Sequence, residues 1–511
     1  MKHVETERKY AVASAADLLV ELAPAYALGP ARRFELAADY VDTMDLALIR
    51  AGYSLRRREG GADEGWHLKF PKSDDSRVQL TAPLGAGRSP ALVPRALRVH
   101  VADVLQLDAL IPVARLVTDR TERDILRVED HAVVAVIADD HVTSTAVGGH
   151  SDAWREIEID LVEGSLGDLE AIEVLLLEAG LTRSSSRSKV ARSLGLEEGE
   201  VAEDGAQPAP LTAGRVAMRY IRRQIGTLQG LEGDVRRDVP GAVHKARVAT
   251  RRLRSSLRTF RRLFDRSVTD SFAAEVRWLG EMLGGPRDAE VLQGRIIGDL
   301  DALPPEQIVG NVRERLERRL DTDHRAAHEV LVHALDSERM AELMESAVEM
   351  LRDPPLSPRA ALPAREEMRS LVRKAERRVE RARAAAAAEH EEANRLHLLH
   401  EVRKKAKAAR YAHEALDVVS GSGSAPMAER WESVTDSLGE FQDTVVVRAR
   451  LSEMAGAAAA AGDSTTTDEI LLRREHDRGI VALATATKQV DELTTRERKS
   501  APRVSERSVT G

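Results

Sequence analysis

The chain contains no cysteine in 511 residues. Disulfides and thiolate metal sites are thereby excluded, and the composition fits a reducing compartment. Aromatic residues make up only 3%, too few for the stacking surfaces on which nucleic-acid binders hold bases. No uncharged apolar run is long enough to span a bilayer. Charges run from Lys2 to Lys9, so no secretory leader is expected. Without thiolates, a metal must be held by oxygen or imidazole, a donor set that favours Mg²⁺ or Mn²⁺ over structural zinc.

Hydrophobic residues are 43% of the chain, enough for real cores, and the length implies two or three domains. The net charge of −8 is unevenly spread. Residues 1–210 hold 24 Lys and Arg against 36 Asp and Glu, whereas residues 211–511 hold 52 against 48. An acidic part of −12 followed by a basic part of +4 implies two domains with different ligands.

Residues 1–196 read as strands broken by turn signals. Alternating runs occupy Gly52–Glu59, Gly65–Phe70, Leu116–Val128, Ala132–Asp139 and Trp154–Val162, with helical patterns at Ala15–Leu22, Pro94–Leu105 and Leu166–Ala179. Residues 197–214 are acidic, then rich in Ala, Pro and Gly, and read as a linker. From about 215 to 497 the pattern is helical, interrupted at Gly284-Gly285-Pro286, Pro304-Pro305, Asp353–Pro363 and Ser420–Pro426. Residues 498–511 are a polar tail.

Side chains alternate faces along a strand. Glu5, Glu7 and Lys9 therefore share one face of the first strand. The same holds for Arg56 with Arg58 and for Glu156 with Glu158, while Lys69, Arg120, Asp139 and Lys189 supply further charge. Strands that put charge on one face and Leu, Ile or Val on the other need two environments. A closed barrel, apolar outside against helices and polar within, provides both. Any one pair is more simply a solvated sheet face; several such sets in under two hundred residues favour an enclosed site. Mixed acids and bases suit a polyphosphate, because Lys and Arg grip phosphate oxygens and carboxylates hold a bridging Mg²⁺.

Within the helical part, His244, Arg247, Arg251 and Arg254 recur as His400, Arg403, Lys407 and Arg410, each 156 positions on. Leu283-Gly284-x-x-Arg287-Asp288 is echoed by Leu438-Gly439-x-x-Gln442-Asp443. A duplicated helical unit is the simplest account, with repeats at about 215–350 and 365–497. At helical spacing each cationic set forms one stripe. A single stripe is ordinarily a solvated face, but two facing stripes make a groove for an extended polyanion. The scarcity of aromatics disfavours nucleic acid and suits a ligand that is all phosphate. His324, His328 and His333 read as a solvated helix face rather than a metal set.

The ordered set Glu5-x-Glu7-x-Lys9, Tyr40-x-Asp42, Leu55-Arg56-x-Arg58, Leu68-Lys69, Arg120, Asp139, Glu156-x-Glu158 and Ser188-Lys189 resembles the CYTH domain of the triphosphate tunnel metalloenzymes. The duplicated stripes, in Val243-His244-Lys245-x-Arg247 and Leu399-His400-x-x-Arg403, resemble the CHAD domain. The resemblance implies an α+β multidomain chain. An eight-stranded antiparallel β tunnel with flanking helices would be followed by two pseudo-symmetric four-helix bundles. It implies a cytoplasmic Mg²⁺- or Mn²⁺-dependent inorganic triphosphatase, with polyphosphate as partner and polyphosphate granules as a candidate location. By carry-over, Lys9, Arg56, Arg58, Lys69, Arg120 and Lys189 hold the triphosphate. Glu5, Glu7, Asp139, Glu156 and Glu158 hold metal, with Glu5, Glu7 and Lys9 catalytic. His244, Arg247, Arg251, Arg254, His400, Arg403, Lys407 and Arg410 bind polyphosphate. The alternatives are a docking protein that binds without turnover and an adenylate cyclase or other organic triphosphatase.

Overall fold

The computed structural model describes residues 2–12, 25–73, 76–84, 92–147, 149–184, 186, 188–196, 211–420 and 425–500. The expected helix at 15–22, most of the linker and most of the tail lie outside them. The chain divides into two units. The first joins residues 1–209 with 225–234 and 338–354; the second holds 210–224, 235–337 and 355–511. Two helical segments thus group with the strands rather than with the later helices.

The first unit is built on antiparallel strands β1 (Lys2–Ala11), β2 (Tyr26–Leu28), β3 (Arg32–Asp42), β4 (Ser54–Glu59), β5 (Gly65–Ser73), β6 (Ser76–Ala82), β7 (Ile111–Arg127), β8 (Val133–Ala146), β9 (Ser151–Leu161) and β10 (Thr182–Arg183). Pairing runs β1-β6-β5-β4-β3-β7-β8-β9. The sheet then curls back on itself, because β1 pairs with β6 through residues 2–6 and with β9 through residues 7–11. Among the described residues ten strands are present where the resemblance implied eight; β2 and β10 are short additions on β7 and β1. The two longest strands that the alternation did not single out are β3 and β6.

Alternation sends apolar side chains outward. Ile137, Ile157 and Ile159 pack under Leu169, Ile172 and Leu176 of helix α4, and Leu55, Leu68 and Leu80 pack under Leu97, Val101 and Leu105. Each such buried side chain contributes about 1.5–3 kcal/mol. The chain up to α4 also contains α1 (Ala47–Arg50), α2 (Arg95–Arg98) and α3 (Ala102–Leu105); α4 is Leu166–Glu178. A capping box fixes its start: Ser165 accepts from the Asp168 N–H while the Asp168 carboxylate accepts from the Ser165 N–H. Helix α5 (Lys189–Ser193) follows, capped by Ser188.

The later helices are α6 (Ala213–Arg236), α7 (Ala242–Thr259), α8 (Arg266–Met282), α9 (Gly284–Asp301), α10 (Val312–Leu335), α11 (Glu338–Arg352), α12 (Ala364–Ala388), α13 (Glu392–Ser420), α14 (Ala425–Ala460) and α15 (Thr466–Ser500). Thr212 caps α6, so this helix begins inside the stretch read as linker. The break at Gly284-Gly285-Pro286 is a single joint, Leu283, with Pro286 in the first turn of α9 where a missing N–H costs nothing. Among the described residues no helix is long and apolar enough to cross a membrane.

Within the first unit, residues 225–234 lie against the segment that leads into β7. Gly226 permits the approach, since a Cβ there would stand 2.3 Å from the Leu107 carbonyl oxygen. The Gln229 amide then pairs with the Leu110 backbone, accepting from its N–H at 3.0 Å and donating to its carbonyl at 2.9 Å. Gln229 is buried, and losing it strands two backbone groups. Gln229→Leu is expected to cost about 2 kcal/mol, read as a lower melting temperature, whereas a neutral change would show that water replaces the amide.

Candidate functional site

The inner face of the curled sheet surrounds a cavity of about 370 Å³. Register decides what enters it. Residues directly opposite share a face, and the pairs Lys9–Glu158, Glu7–Asp160, Arg56–His67 and Lys69–Gln79 all face inward. Glu158 is the centre of the acidic side. Its Oε1 receives the Lys9 ammonium at 2.5 Å and the Lys189 ammonium at 2.6 Å, and its Oε2 receives Arg120 at 2.6 Å. Lys189, at the first position of α5, also lies 2.5 Å from Glu156 and 2.9 Å from Asp140. Arg120 grips Asp140 with two bonds, Nε at 2.7 Å and Nη2 at 2.6 Å. The three carboxylates Asp140, Glu156 and Glu158 bring ligand oxygens within 4.8 Å of one another.

Charges buried together shift one another. Burial opposes the charge on Glu158, but Lys189, Lys9 and Arg120 overcome it and hold the carboxyl well below the usual range. Burial likewise opposes Lys9 and Lys189, and the carboxylates around them keep both ammoniums charged above the ordinary lysine range. Glu7 is pushed up by burial and pulled down further by Lys9 and Lys69, to about 2. Asp160 is rescued less: burial and then Glu158 and Glu7 raise it to about 7, with Lys69 and Arg120 only partly offsetting them.

The opposite wall is cationic. Arg56 donates to the Tyr40 hydroxyl at 3.1 Å and makes no ion pair with a carboxylate among the described residues; its buried Nε has no partner. Arg58 meets Asp63 at the cavity edge, yet burial and then Arg56 and Arg120 lower its guanidinium to about 9. Lys69 lies 3.6 Å from Glu7. Neighbouring His67 is kept neutral, lowered to about 3 by burial and by Arg56 and Arg58.

The second unit has its own cavity, of about 550 Å³, lined by Arg247, Arg251 and Arg254 of α7, Arg403 and Lys407 of α13, and Asp288 and Asp443. Two glycines shape it. A Cβ on Gly284 would stand 3.2 Å from the Arg247 guanidinium, and a Cβ on Gly439 would stand 2.8 Å from that of Arg403. The duplicated Leu-Gly step therefore leaves room for the duplicated arginine to lie across the next helix. Lys407 suffers most from this crowding. Burial, then Arg403, Arg251 and Arg247, lower its ammonium to about 6, with Asp443 only partly offsetting them.

A CYTH domain model matches residues 3–194, and a CHAD domain model matches residues 219–452. An uncharacterized protein of Mycobacterium tuberculosis is 33% identical over 509 residues, spanning 93% of both chains. The chain belongs to the proteins that join a CYTH domain to a CHAD domain. Among solved structures it is similar to PptA from Streptomyces chartreusis, at 21% identity and TM-score 0.46, over 55% of this chain and all of that one. It is also similar to the CHAD domain of Ricinus communis, at 22% identity and TM-score 0.44, over 57% of this chain and 95% of that one.

In the CYTH domain, Glu7, Lys9, Arg56, Arg58, Lys69, Arg120, Glu158 and Lys189 all line the cavity, and Glu156 lies buried behind it against Lys189 and Trp154. Glu5 stands opposite Arg77 in β1, and its side chain lies outside the described residues. Asp139 must be corrected. It pairs with Ile157, on the outer face, and its carboxylate is bound by Arg155 at 2.8 Å. Asp140, one residue on, pairs with Glu156 and takes the inward place. The signal for Asp160 was present too, since Glu156-x-Glu158-x-Asp160 continues the period of two.

In the CHAD domain, Arg247, Arg251, Arg254, Arg403 and Lys407 meet around the cavity, and three expected residues do not. His244 is exposed outside it. His400 contacts Gln442 at 3.1 Å. Arg410 is engaged by Glu414 at 2.9 Å and Glu432 at 2.5 Å, acids one helical turn away and on α14 that satisfy its charge locally. His324 and His328 bond to Asp238 and the Val235 carbonyl rather than forming a metal set.

A polyanion entering the CHAD cavity must recharge Lys407. Binding is expected to take up about one proton per site between pH 6 and 8 and to strengthen as pH falls through that window, as calorimetry in buffers of different ionisation enthalpy measures. Lys407→Met is expected to remove the uptake and raise the melting temperature. Uptake that persists in this variant would contradict the assignment.

Proposed function

We propose that the CYTH domain hydrolyses inorganic triphosphate with Mg²⁺ or Mn²⁺ and that the CHAD cavity binds inorganic polyphosphate. The observation that carries the first half is Arg56. A buried guanidinium with no acid partner, beside Arg58 and Lys69 and across a cavity from clustered carboxylates, fits an anionic ligand laid between the two walls.

The acid cluster fits a hard divalent ion by its chemistry: three buried carboxylates and no thiolate or imidazole. Glu156 Oε1 adds to the fit, because it lies near Lys189 without accepting a well-directed hydrogen bond. Asp140, Glu156 and Glu158 would hold the ion, with Glu5 and Glu7 as further candidates. A bound Mg²⁺ or Mn²⁺ neutralises phosphoryl oxygens and draws charge off the leaving group. Arg56, Arg58, Lys69 and Arg120 orient the phosphate chain. Glu7, ionised at any physiological pH, accepts a hydrogen bond from the attacking water, and Lys9 polarises the phosphoryl oxygen beside it.

A second reading, binding without turnover, draws on the way Lys9, Arg120 and Lys189 already neutralise three carboxylates. Phosphate release separates the two. The purified protein with tripolyphosphate and Mg²⁺ or Mn²⁺ is expected to release phosphate, and Glu7→Gln to lower kcat by about 100-fold. Arg56→Ala is expected to raise KM. Stabilisation by tripolyphosphate with no phosphate release would favour the second reading, and cyclic AMP formed from ATP would replace both.

A further inference from the structure

The cationic stripe of α7 does not end with the cavity. Arg247, Arg251 and Arg254 are followed by Arg258 at the same helical spacing and by Arg261 and Arg262 in the turn after the helix. From Arg247 to Arg258 the stripe runs about 16 Å at 1.5 Å per residue. Its far end meets α12, which contributes Lys374 and Arg378 over a floor of Leu371, Ala375 and Ala408. None of these five outer cations makes an ion pair with an acid among the described residues. Elsewhere in the domain Arg236, Arg295, Arg315 and Arg478 are each met by an acid, whereas here five cations stand together with none.

Their closeness is felt in their charge. Lys374 is lowered by burial and then by Arg262, Arg378 and Arg261; Arg378 is lowered by burial and then by Arg261 and Arg258. Arg254, inside the cavity, is lowered by burial, then by Arg277 and more weakly by Arg258, one turn further along the stripe. The end of a helix favours cations, which accounts for Arg258. It does not account for Lys374 and Arg378, which lie in the interior of a helix of 25 residues. Like charges held together without counter-charge are destabilising unless a ligand supplies it.

We infer that the end of α7 and the facing side of α12 form a second phosphate-chain site, joined to the CHAD cavity along the α7 stripe and occupied by the outer part of a long polyphosphate. This rests on the reading of the cavity as a polyphosphate site. A track of that length suits a polymer rather than a three-unit ligand. The patch contains no aromatic side chain on which a base could stack, so a phosphate-only chain is favoured over nucleic acid.

The test uses the full-length protein and the triple variant Arg261→Ala, Lys374→Ala, Arg378→Ala. Long-chain polyphosphate is expected to bind the variant about tenfold or more weakly, with a shallower dependence on salt. Affinity for a short chain that fills only the cavity is expected to be unchanged, and the melting temperature unchanged or raised. Unchanged long-chain affinity in the triple variant overturns the inference. So does wild-type binding that is no tighter for long chains than for short ones, or RNA displacing long-chain polyphosphate at equal phosphate concentration. If wild type binds no polyphosphate of any length, it is the cavity reading that fails; loss of both chain lengths in Arg251→Ala supports that reading independently.

Discussion

Three cations meet on one carboxylate, and the CYTH domain is arranged so that they can. Glu158 of β9 receives Lys9 from β1, Arg120 from β7 and Lys189 from α5. A buried charge left unpaired costs several kcal/mol, so each of these elements is tied to the position that lets its cation reach. The β1–β9 pairing that curls the sheet onto itself places Lys9 directly opposite Glu158. The electrostatics of the site and the closure of the sheet are therefore one constraint. Removing Glu158 would leave three cations facing each other, which is why a milder change at Glu7 is the cleaner probe of chemistry.

Much of this was legible in the sequence because the period of a strand is two. Glu7 and Lys9, Arg56 and Arg58, and Glu156 and Glu158 are each two apart, and all but the partly hidden Glu156 line one cavity. What alternation cannot supply is phase between strands. In Ala138-Asp139-Asp140 both acids have equal claim until the register with β9 is known. A shift of one residue exchanges inner and outer faces, and Ile157 opposite Asp139 settles which face is outer. Curling was likewise implied by the need for two environments, but not the way residues 225–234 and 338–354 join this unit. The packing of residues 225–234 rests on Gly226 and Gln229, residues with no periodic signal of their own.

The CHAD domain was legible for a different reason. Duplication repeats not only the cations but the glycines that make room for them. Gly284 under Arg247 and Gly439 under Arg403 explain why a Leu-Gly step accompanies each arginine stripe. The duplicated sequence overstated the symmetry, however. Arg254 faces the cavity while its counterpart Arg410 is neutralised by Glu414 and Glu432. Glu414 stands one turn along the same helix, but Glu432 lies on α14, and no pattern along one helix records an acid on another.

The two cavities then differ in one respect that bears on what each can do. In the CYTH domain most cations are compensated by carboxylates within about 3 Å, the range of charge-assisted hydrogen bonds, and only the Arg56 wall is left short of negative charge. Fixed charges of both signs around one cavity suit the short anion proposed for it, the arrangement that positioning and charge transfer during phosphoryl transfer require. In the CHAD domain burial, and then Arg403, Arg251 and Arg247, lower Lys407 to about 6, so that it gives up its proton at neutral pH. A site of that kind stores repulsion that the proposed polyanion would relieve. Carboxylates placed for catalysis would weaken that attraction, and a bare cationic groove would have nothing with which to hold a metal. On the proposed reading the chain keeps the two tasks in separate domains, with acids concentrated in the cavity where a bond would be broken and cations in excess over acids in the cavity where a chain would be held.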